Sequence, residues 1–233
     1  MKKQLLILLG PQGSGNHIFA RIFSMHKDVF GWKSLTQTYY QKHNSEPFAE
    51  YFTYPQLLTE DVFSTHDYFV ANVSVPFGFQ GLLRYPKIIE VANIAKGFGI
   101  DVQFGILTRD EEILSVQEAR TRKELSFVKA KQYVEEVLMP SEFPINFISL
   151  ESFFSYKLTY LQYLSKLLKF PIVTDDRALA FITDSPNKKY ITPIDAHWLD
   201  AQENQPISID KLDTLPPGVV VNNYVEKLNR SQK

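Results

Sequence analysis

Residues 4–23 have the sequence QLLILLGPQGSGNHIFARIF, in which a continuous apolar run is followed by a glycine-rich turn. An apolar run without alternation is typical of a strand buried on both faces of a parallel sheet. After the turn, apolar residues recur at positions 18, 19, 22 and 23, which predicts a helix over residues 15–25. This stretch therefore predicts a first strand, a tight turn and a helix, in that order.

Further apolar runs alternate with amphipathic segments along the chain. The predicted strands cover residues 29–32, 68–75, 101–108 and 145–150, and the predicted helices residues 35–43, 86–95, 110–138 and 152–168. Such alternation predicts an α/β fold of three layers (αβα), with a P-loop NTPase-like parallel sheet between helices on both faces. We expect ligands at the carboxyl ends of the strands, where the turn, Trp32–Lys33 and Arg109 would meet.

The domain organisation follows from where this alternation weakens. Residues 1–172 are expected to form the α/β domain. Within it, residues 44–65 are rich in aromatic residues and have no clear period, which predicts a possible lid over the end of the sheet. Residues 173–233 contain several prolines and little periodicity, so we expect an irregular C-terminal extension packed on the domain.

Composition excludes several classes of site. The net charge is −1 at pH 7, so we expect no nucleic-acid partner. The chain has no cysteine, which excludes disulfides, thiolate metal sites and cysteine nucleophiles and makes the cytoplasm the default location. The apolar run of residues 4–9 is too short for a signal peptide or a membrane span, so no membrane partner is expected. No His, Asp and Glu residues have the spacing of metal ligands, and no metal is expected.

The turn at residues 10–17 has the position of a phosphate-binding loop. Backbone N–H groups in such a turn, together with the positive end of the following helix, converge on a single anion. Gly10 and Gly15 have the spacing of a Walker A motif, but Asn16 replaces its lysine and His17 its Mg²⁺-binding hydroxyl residue. These replacements argue against an ATPase, since phosphoryl transfer loses two of its usual parts. A tight turn without a ligand is the alternative.

Three segments resemble the sulfotransferase family, and in particular the small sulfotransferase-like proteins of marine bacteriophages. They are GPQGSGNHIFARIFSMHKDVFGWKSL at residues 10–35, GILTRD at 105–110 with the helix after it, and FISLE at 147–151 with the helix that ends near residue 168. Together with the strand before the turn, they cover roughly residues 4–172. If the chain comes from a phage, the resemblance implies the host cytoplasm.

The resemblance implies the transfer of a sulfuryl group from 3′-phosphoadenosine 5′-phosphosulfate (PAPS) to a hydroxyl or amine, without a metal. The acceptor would be a small molecule or a saccharide. The 5′-phosphosulfate would lie on the turn, and the 3′-phosphate at Arg109 with Ser115 or Gln117. The implied donor-binding residues are Gln12, Gly13, Ser14, Gly15, Asn16, His17, Arg109, Ser115 and Gln117. The alternative for Arg109 is a salt bridge to one of the acidic residues 110–112.

Departures from the family pattern affect the predicted catalytic residues. The basic residue that family members carry in the turn falls on Gly13 here. Lys33, at the end of the second predicted strand, could supply the missing charge. The glutamate that acts as base in many members falls on Ser34, so the candidate bases are His17, His43 and Glu46. The alternative for the last two is an ordinary surface pair.

Two other functions are compatible with the same residues. One is a P-loop nucleotide kinase-like or NTPase protein, which Asn16 and His17 disfavour. The other is a catalytically silent nucleotide-binding or interaction protein that keeps the sulfotransferase fold, and Gly13 is the residue that favours it.

Overall fold

A computed structural model of the chain describes residues 2–38, 41–121 and 126–180. The strands are β1 (Gln4–Gly10), β2 (Val29–Phe30), β3 (Tyr68–Ser74), β4 (Phe77–Phe79), β5 (Leu82–Arg84), β6 (Asp101–Thr108) and β7 (Ile145–Ser149). The helices are α1 (Asn16–Ser24), α2 (Lys33–Gln37), α3 (Ile88–Gly97), α4 (Glu111–Thr121), α5 (Ser126–Tyr133) and α6 (Leu150–Leu168).

Five of the strands form a parallel sheet in the order β2-β3-β1-β6-β7, and β4 and β5 form a separate antiparallel hairpin. The first strand lies at the centre, with Leu8 in register with Asn72 of β3 and Gly105 of β6. Because the five strands are parallel, their carboxyl ends meet at one edge. There β1 enters the glycine turn and α1 begins, which confirms the predicted order of strand, turn and helix.

Alternate side chains of β1 divide the core into two clusters, one on each face of the sheet. Leu5, Ile7 and Leu9 belong to the cluster that contains the buried side of α3. Leu6 and Leu8 belong to the cluster that contains the buried sides of α1 and α6. All five leucine and isoleucine side chains are fully buried, as the unbroken apolar run predicts. The three-layer αβα architecture is thereby confirmed.

The aromatic side chains of residues 44–65 pack on the face of the sheet that α3 covers. Phe48, Phe52 and Phe63 are buried in the cluster on the α3 face, and each is at most 1% exposed. Lys3, just before β1, donates a hydrogen bond from Nζ to the Phe63 carbonyl, so this part of the segment lies at the amino edge. The aromatic residues therefore fill the layer beside α3, because β2 and β3 are connected by irregular chain rather than by a long helix.

The single helix predicted over residues 110–138 is wrong. The structure describes α4 and α5 as separate helices, and the Glu118 carboxylate accepts a hydrogen bond from Ser126 Oγ. In one straight helix these two residues would lie about 12 Å apart along the axis, so α4 and α5 are not parts of one straight helix. Helix α5 continues into a π-helical turn at Val134–Leu138, where the Met139 N–H donates to the Val134 carbonyl at 2.9 Å.

The domain continues beyond the predicted boundary at residue 172. Ile172, Val173 and Ala178 are buried in the cluster that contains α1 and α6. The rest of the predicted extension, residues 181–233, lies outside the described residues. Within the described ranges, the helices are too short or too polar to cross a lipid bilayer.

Candidate functional site

The turn between β1 and α1 is shaped by side chains that bond to its own backbone. Ser14 Oγ and Asn16 Nδ2 donate to the Pro11 carbonyl at 2.8 and 2.9 Å. Both side chains are buried. Gln12 Nε2 donates to the Pro76 carbonyl at 3.3 Å, which ties the turn to the connection after β3. These side chains therefore hold the loop in shape, and the groups left to bind a ligand are backbone N–H groups.

The backbone of the turn has the geometry of an anion-binding loop. Gly13 and Gly15 have φ of +97° and +96°, in the left-handed region that favours glycine. At the start of α1, the Phe19 N–H donates to the Gly15 carbonyl at 3.0 Å. The N–H groups of residues 16–18 thus have no acceptor inside the helix and lie at its positive end. This arrangement suits a tetrahedral anion such as phosphate or sulfate.

Arg109 reaches the turn from the end of β6. Its Nη1 donates to the Gly13 carbonyl at 2.6 Å and to Gln117 Oε1 at 2.9 Å. Gln117 lies so close to the turn that a Cβ on Gly13 would be 2.4 Å from its Oε1. The Arg109 guanidinium therefore lies beside Gly13, the position at which sulfotransferases carry a basic residue in the turn. The tertiary structure supplies the positive charge from another strand.

The structure distinguishes between the two residues predicted as partners of Arg109. Gln117 contacts the guanidinium, whereas Ser115 Oγ donates to the Glu111 carbonyl within α4 at 2.9 Å. The Asp110 carboxylate, considered as a salt-bridge partner of Arg109, accepts hydrogen bonds from the N–H groups of residues 112 and 113, at 3.0 Å each. Asp110 thus caps the start of α4, and Gln117 is the residue of this helix that joins the site.

Three aromatic rings lie together at the start of α1. The His17 ring centroid is 5.2 Å from that of Trp32, edge to face, and 5.5 Å from that of His43. Trp32 is 1% exposed, whereas both histidines are half-buried. The structure therefore brings two of the predicted bases together beside the turn, against a buried indole. The sequence placed Trp32 at this edge but gave no reason to assign it a role.

Lys33 does not reach the turn, contrary to the predicted catalytic role. Its Nζ donates to the carbonyls of Ser24 and His26, at 2.7 and 2.9 Å. Both carbonyls lie at the C-terminal end of α1, a helix of 9 residues. Such a helix is about 13 Å long, and the turn lies at its other end. Lys33 therefore caps α1 at the end where the helix dipole favours a cation.

Glu46 is part of the sheet's hydrogen bonding rather than a base that acts with His43. It is 3% exposed, and its carboxylate accepts from the N–H groups of Phe48 at 2.7 Å and Asn72 at 3.2 Å. Asn72 lies in β3 beyond the residues that pair with β2, so this N–H faces an edge without a neighbouring strand. Burial raises the pKa of Glu46 to about 8. The Glu46 carboxylate thus supplies the hydrogen-bond acceptor that a neighbouring strand would otherwise provide for the Asn72 N–H.

Several buried polar atoms around the turn have no hydrogen-bond partner among the described residues. They are Asn16 Oδ1, Trp32 Nε1 and both amide atoms of the Asn72 side chain. Asn72 is 3% exposed and lies opposite Leu8, two residues before β1 reaches Gly10. Buried polar atoms without partners are unusual and call for an explanation such as a bound ligand or water. Asn72 could not be assigned to the site from the sequence, since a single polar residue in an apolar strand has many possible roles.

Comparison with known proteins finds a likeness among solved structures. No protein-family model and no curated protein matches the chain. Among solved structures, it is similar to the sulfotransferase domain from the curacin biosynthetic pathway, at 12% sequence identity over 79% of each chain and with a TM-score of 0.49. At 12% identity this likeness concerns the fold.

Proposed function

We propose that this protein is a sulfotransferase that uses PAPS as its donor. The observation that carries the proposal is the distance of 2.6 Å between Arg109 Nη1 and the Gly13 carbonyl oxygen. It places a cation beside a glycine turn that has no lysine or arginine of its own. The resemblance of residues 10–35, 105–110 and 147–151 to the sulfotransferase family supports the same function.

The turn and the residues around it fit a phosphosulfate group. The backbone N–H groups of Gly13 and of residues 15–17 would hold its oxygens, because the positive φ of both glycines lets the backbone approach an anion closely. The Ser14 N–H donates to the Pro11 carbonyl instead, at 3.2 Å. Arg109, which the family resemblance assigns to the 3′-phosphate, lies beside Gly13 and would instead contribute charge-assisted hydrogen bonds to the phosphosulfate. The buried polar atoms of Asn16, Trp32 and Asn72 provide donors and acceptors for the nucleotide or for ordered water around it.

The residues of the site also suit a sulfuryl transfer. In that reaction the acceptor oxygen forms a bond to sulfur while the bond from sulfur to the phosphate oxygen breaks, and its electron pair leaves with adenosine 3′,5′-bisphosphate. Arg109 and the turn N–H groups stabilise the negative charge that grows on the leaving phosphate. The acceptor's hydroxyl proton goes to one of the two imidazoles, His17 or His43, which lie beside the turn.

Phosphoryl transfer from a Mg²⁺ nucleotide fits the same turn less well. Asn16, at the lysine position of a Walker A motif, uses its amide to bond Pro11 and Ser14. His17, at the position of the Mg²⁺-binding hydroxyl, packs its ring against Trp32. Neither side chain is placed to serve the role that the motif assigns to that position.

The first test is the thermal stability of the full chain with adenosine 3′,5′-bisphosphate, compared with ATP and Mg²⁺. A ligand at 100 times its Kd stabilises the native state by about 2.7 kcal/mol, which raises Tm by several degrees. We expect this rise with the bisphosphate and its loss in Arg109→Ala. Arg177→Ala is the matched control, because Arg177 is exposed and pairs with Asp175 away from the turn. A rise with ATP and Mg²⁺ alone would support the kinase-like alternative instead.

Activity is tested by transfer of labelled sulfate from PAPS to a panel of alcohols, phenols and amines. Removing one charge-stabilising group of this kind lowers kcat by about 10²–10³, so we expect that loss in Arg109→Ala and a smaller loss in Arg109→Lys. Binding of the bisphosphate without any transfer would indicate the catalytically silent alternative.

A further inference from the structure

A cavity of about 400 Å³ opens directly beside the glycine turn. Gly10 and Pro11 of the turn form part of its wall, and so do Thr108 and Arg109 at the end of β6. A molecule in this cavity therefore has one end next to the place where the turn would bind an anion. The volume lies within the range of pockets that hold small organic ligands.

Apart from Arg109 beside the turn, the charged residues that line the cavity are exposed to solvent, and most of the other lining residues are apolar. The walls include Leu9, Val75, Ile106, Leu114, Ala130 and Val134. Glu111, Lys131 and Glu135 also line it, but these side chains are exposed to solvent. An apolar ligand gains free energy on entering such a space, whereas a saccharide would lose hydrogen bonds to water without regaining them inside.

The cavity lies on the face of the sheet that α3 covers. Leu9 and Ile106 belong to the cluster that contains α3, while α1, which carries His17, packs on the other face. The turn runs between the two faces. A donor could therefore be held by the turn and the α1 side while a second molecule approaches from the cavity.

A π-helical turn forms one wall of the cavity. Val134, Glu135 and Met139 line it, and the Met139 N–H donates to the Val134 carbonyl five residues earlier. π-helical turns are rare and occur frequently at functional sites, because the extra residue per turn widens the helix locally. Met139 is 55% exposed and Phe147 of β7 is 57% exposed, and both line the cavity.

We propose that this cavity binds the apolar body of the acceptor, so that the acceptor is a hydrophobic alcohol or phenol and not a saccharide. This inference depends on the proposed sulfotransferase function, since it is the reactive turn that makes the occupant an acceptor. The acceptor hydroxyl lies at the Pro11 end of the cavity, and the hydrocarbon extends toward Phe127 and Val134. The aromatic residues of the 44–65 segment take no part, because they are buried in the core.

The test uses 4-alkylphenols from ethyl to octyl as probes. Their binding to the full chain is measured by calorimetry with adenosine 3′,5′-bisphosphate present. We expect Kd to fall about fourfold with each added methylene until the cavity is full, since a buried methylene contributes about 0.8 kcal/mol. N-acetylglucosamine, the saccharide probe, should show no binding. The same phenols should accept labelled sulfate from PAPS in order of their affinity.

Two kinds of variant locate the binding site. Ala130→Phe fills the cavity and should weaken octylphenol binding more than tenfold, while Val128→Phe on the exposed side of α5 should leave it unchanged. Ala130 is 2% exposed, so the fold of its variant is checked by bisphosphate binding. Phe147→Gln and Met139→Gln change exposed residues that line the cavity and should weaken octylphenol binding several-fold without affecting the fold.

The outcomes separate this inference from the proposed function. Bisphosphate binding together with chain-length-dependent phenol binding that Ala130→Phe abolishes supports both. Bisphosphate binding without phenol binding, or with sulfation of the saccharide, overturns the apolar acceptor and leaves the sulfotransferase proposal standing. No bisphosphate binding overturns the sulfotransferase proposal and, with it, the assignment of the cavity to an acceptor, even if phenols bind there.

Discussion

At the scale of single residues, the site depends on one cation that the chain brings from a distance. Arg109 donates to the carbonyl of Gly13, a residue 96 positions earlier in the sequence. Gln117 Oε1 accepts a second hydrogen bond from the same Nη1 of Arg109 and also occupies the space next to Gly13. The missing basic residue of the turn and the presence of Arg109 are thus linked, because a long side chain at Gly13 would collide with the groups that now provide the charge.

Gly13→Ala tests this close packing. Its φ of +97° and a contact of 2.4 Å between the added Cβ and Gln117 Oε1 should lower the free energy of unfolding by about 1–3 kcal/mol. It should also weaken bisphosphate binding, because Gln117 and Arg109 must move. Gly97→Ala is the control, as no atom lies within 4 Å of its added Cβ. Urea denaturation measures both variants, and equal stabilities would contradict the packing argument.

The buried carboxyl of Glu46 should make stability depend on pH. Its pKa is raised from 4.5 to about 8, so the stabilising protonated form is fully present below 4.5 and is lost as pH rises through 8. We expect the free energy of unfolding to fall by a few kcal/mol between about pH 5 and pH 9. In Glu46→Gln, which stays neutral and keeps one acceptor oxygen, this fall should be absent. An unchanged pH dependence in the variant would show that another group causes it.

At the scale of elements, helix α1 has a different partner at each end. Its N-terminus lies at the glycine turn, where the first N–H groups of the helix, which have no acceptor inside it, favour an anion. Its C-terminal carbonyls accept hydrogen bonds from Lys33, a cation from α2.

The hairpin of β4 and β5 was not predicted from the sequence. Gln80 and Gly81 take φ of 51° and 79° in its turn, but glutamine is not typical of such a turn, so the sequence did not reveal it.

Lys33→Met distinguishes helix capping from catalysis. Loss of the two hydrogen bonds at the end of α1 should lower the free energy of unfolding by about 0.5–1.5 kcal/mol. The rate of sulfate transfer should stay within about twofold of that of the unchanged protein, since Nζ lies at the far end of α1 from the turn. Chemical denaturation and the transfer assay measure the two effects. A large loss of kcat at unchanged stability would place Lys33 in the reaction instead.

At the scale of the whole molecule, the site lies at the carboxyl edge of a sheet that is covered on both faces. His17 lies at the start of α1 with His43 beside it, and the apolar cavity opens on the α3 face. Residues 44–65 give the α3 face its aromatic layer beside β3, with Phe48 against Phe30 and Phe63 against Phe69. That layer covers β3 on the α3 face and so helps to hold the sheet together.

Phe52→Ala tests the assignment of this segment to the core. Phe52 is fully buried, so its truncation should lower the free energy of unfolding by about 3–5 kcal/mol. Truncation of a residue in a lid would instead change acceptor binding at nearly constant stability. Tyr156→Ala is the comparison, because Tyr156 is 66% exposed on α6 and should cost less than about 0.5 kcal/mol. Denaturation midpoints give both values.

By itself, the sequence determined the parts of this protein that depend on neighbouring residues. The apolar run of β1, the glycines of the turn and the start of α1 follow from local backbone and burial requirements, and together they placed an anion site at Gly10–His17. The α/β architecture followed because buried strands alternate with amphipathic helices. Only the tertiary structure decided which distant side chains meet at that turn. It brought Arg109 and His43 to the turn, whereas Lys33 and Glu46 bind backbone groups elsewhere. It also formed the apolar cavity beside the turn. These contacts depend on how the packed layers align, and no local period in the sequence encodes that alignment.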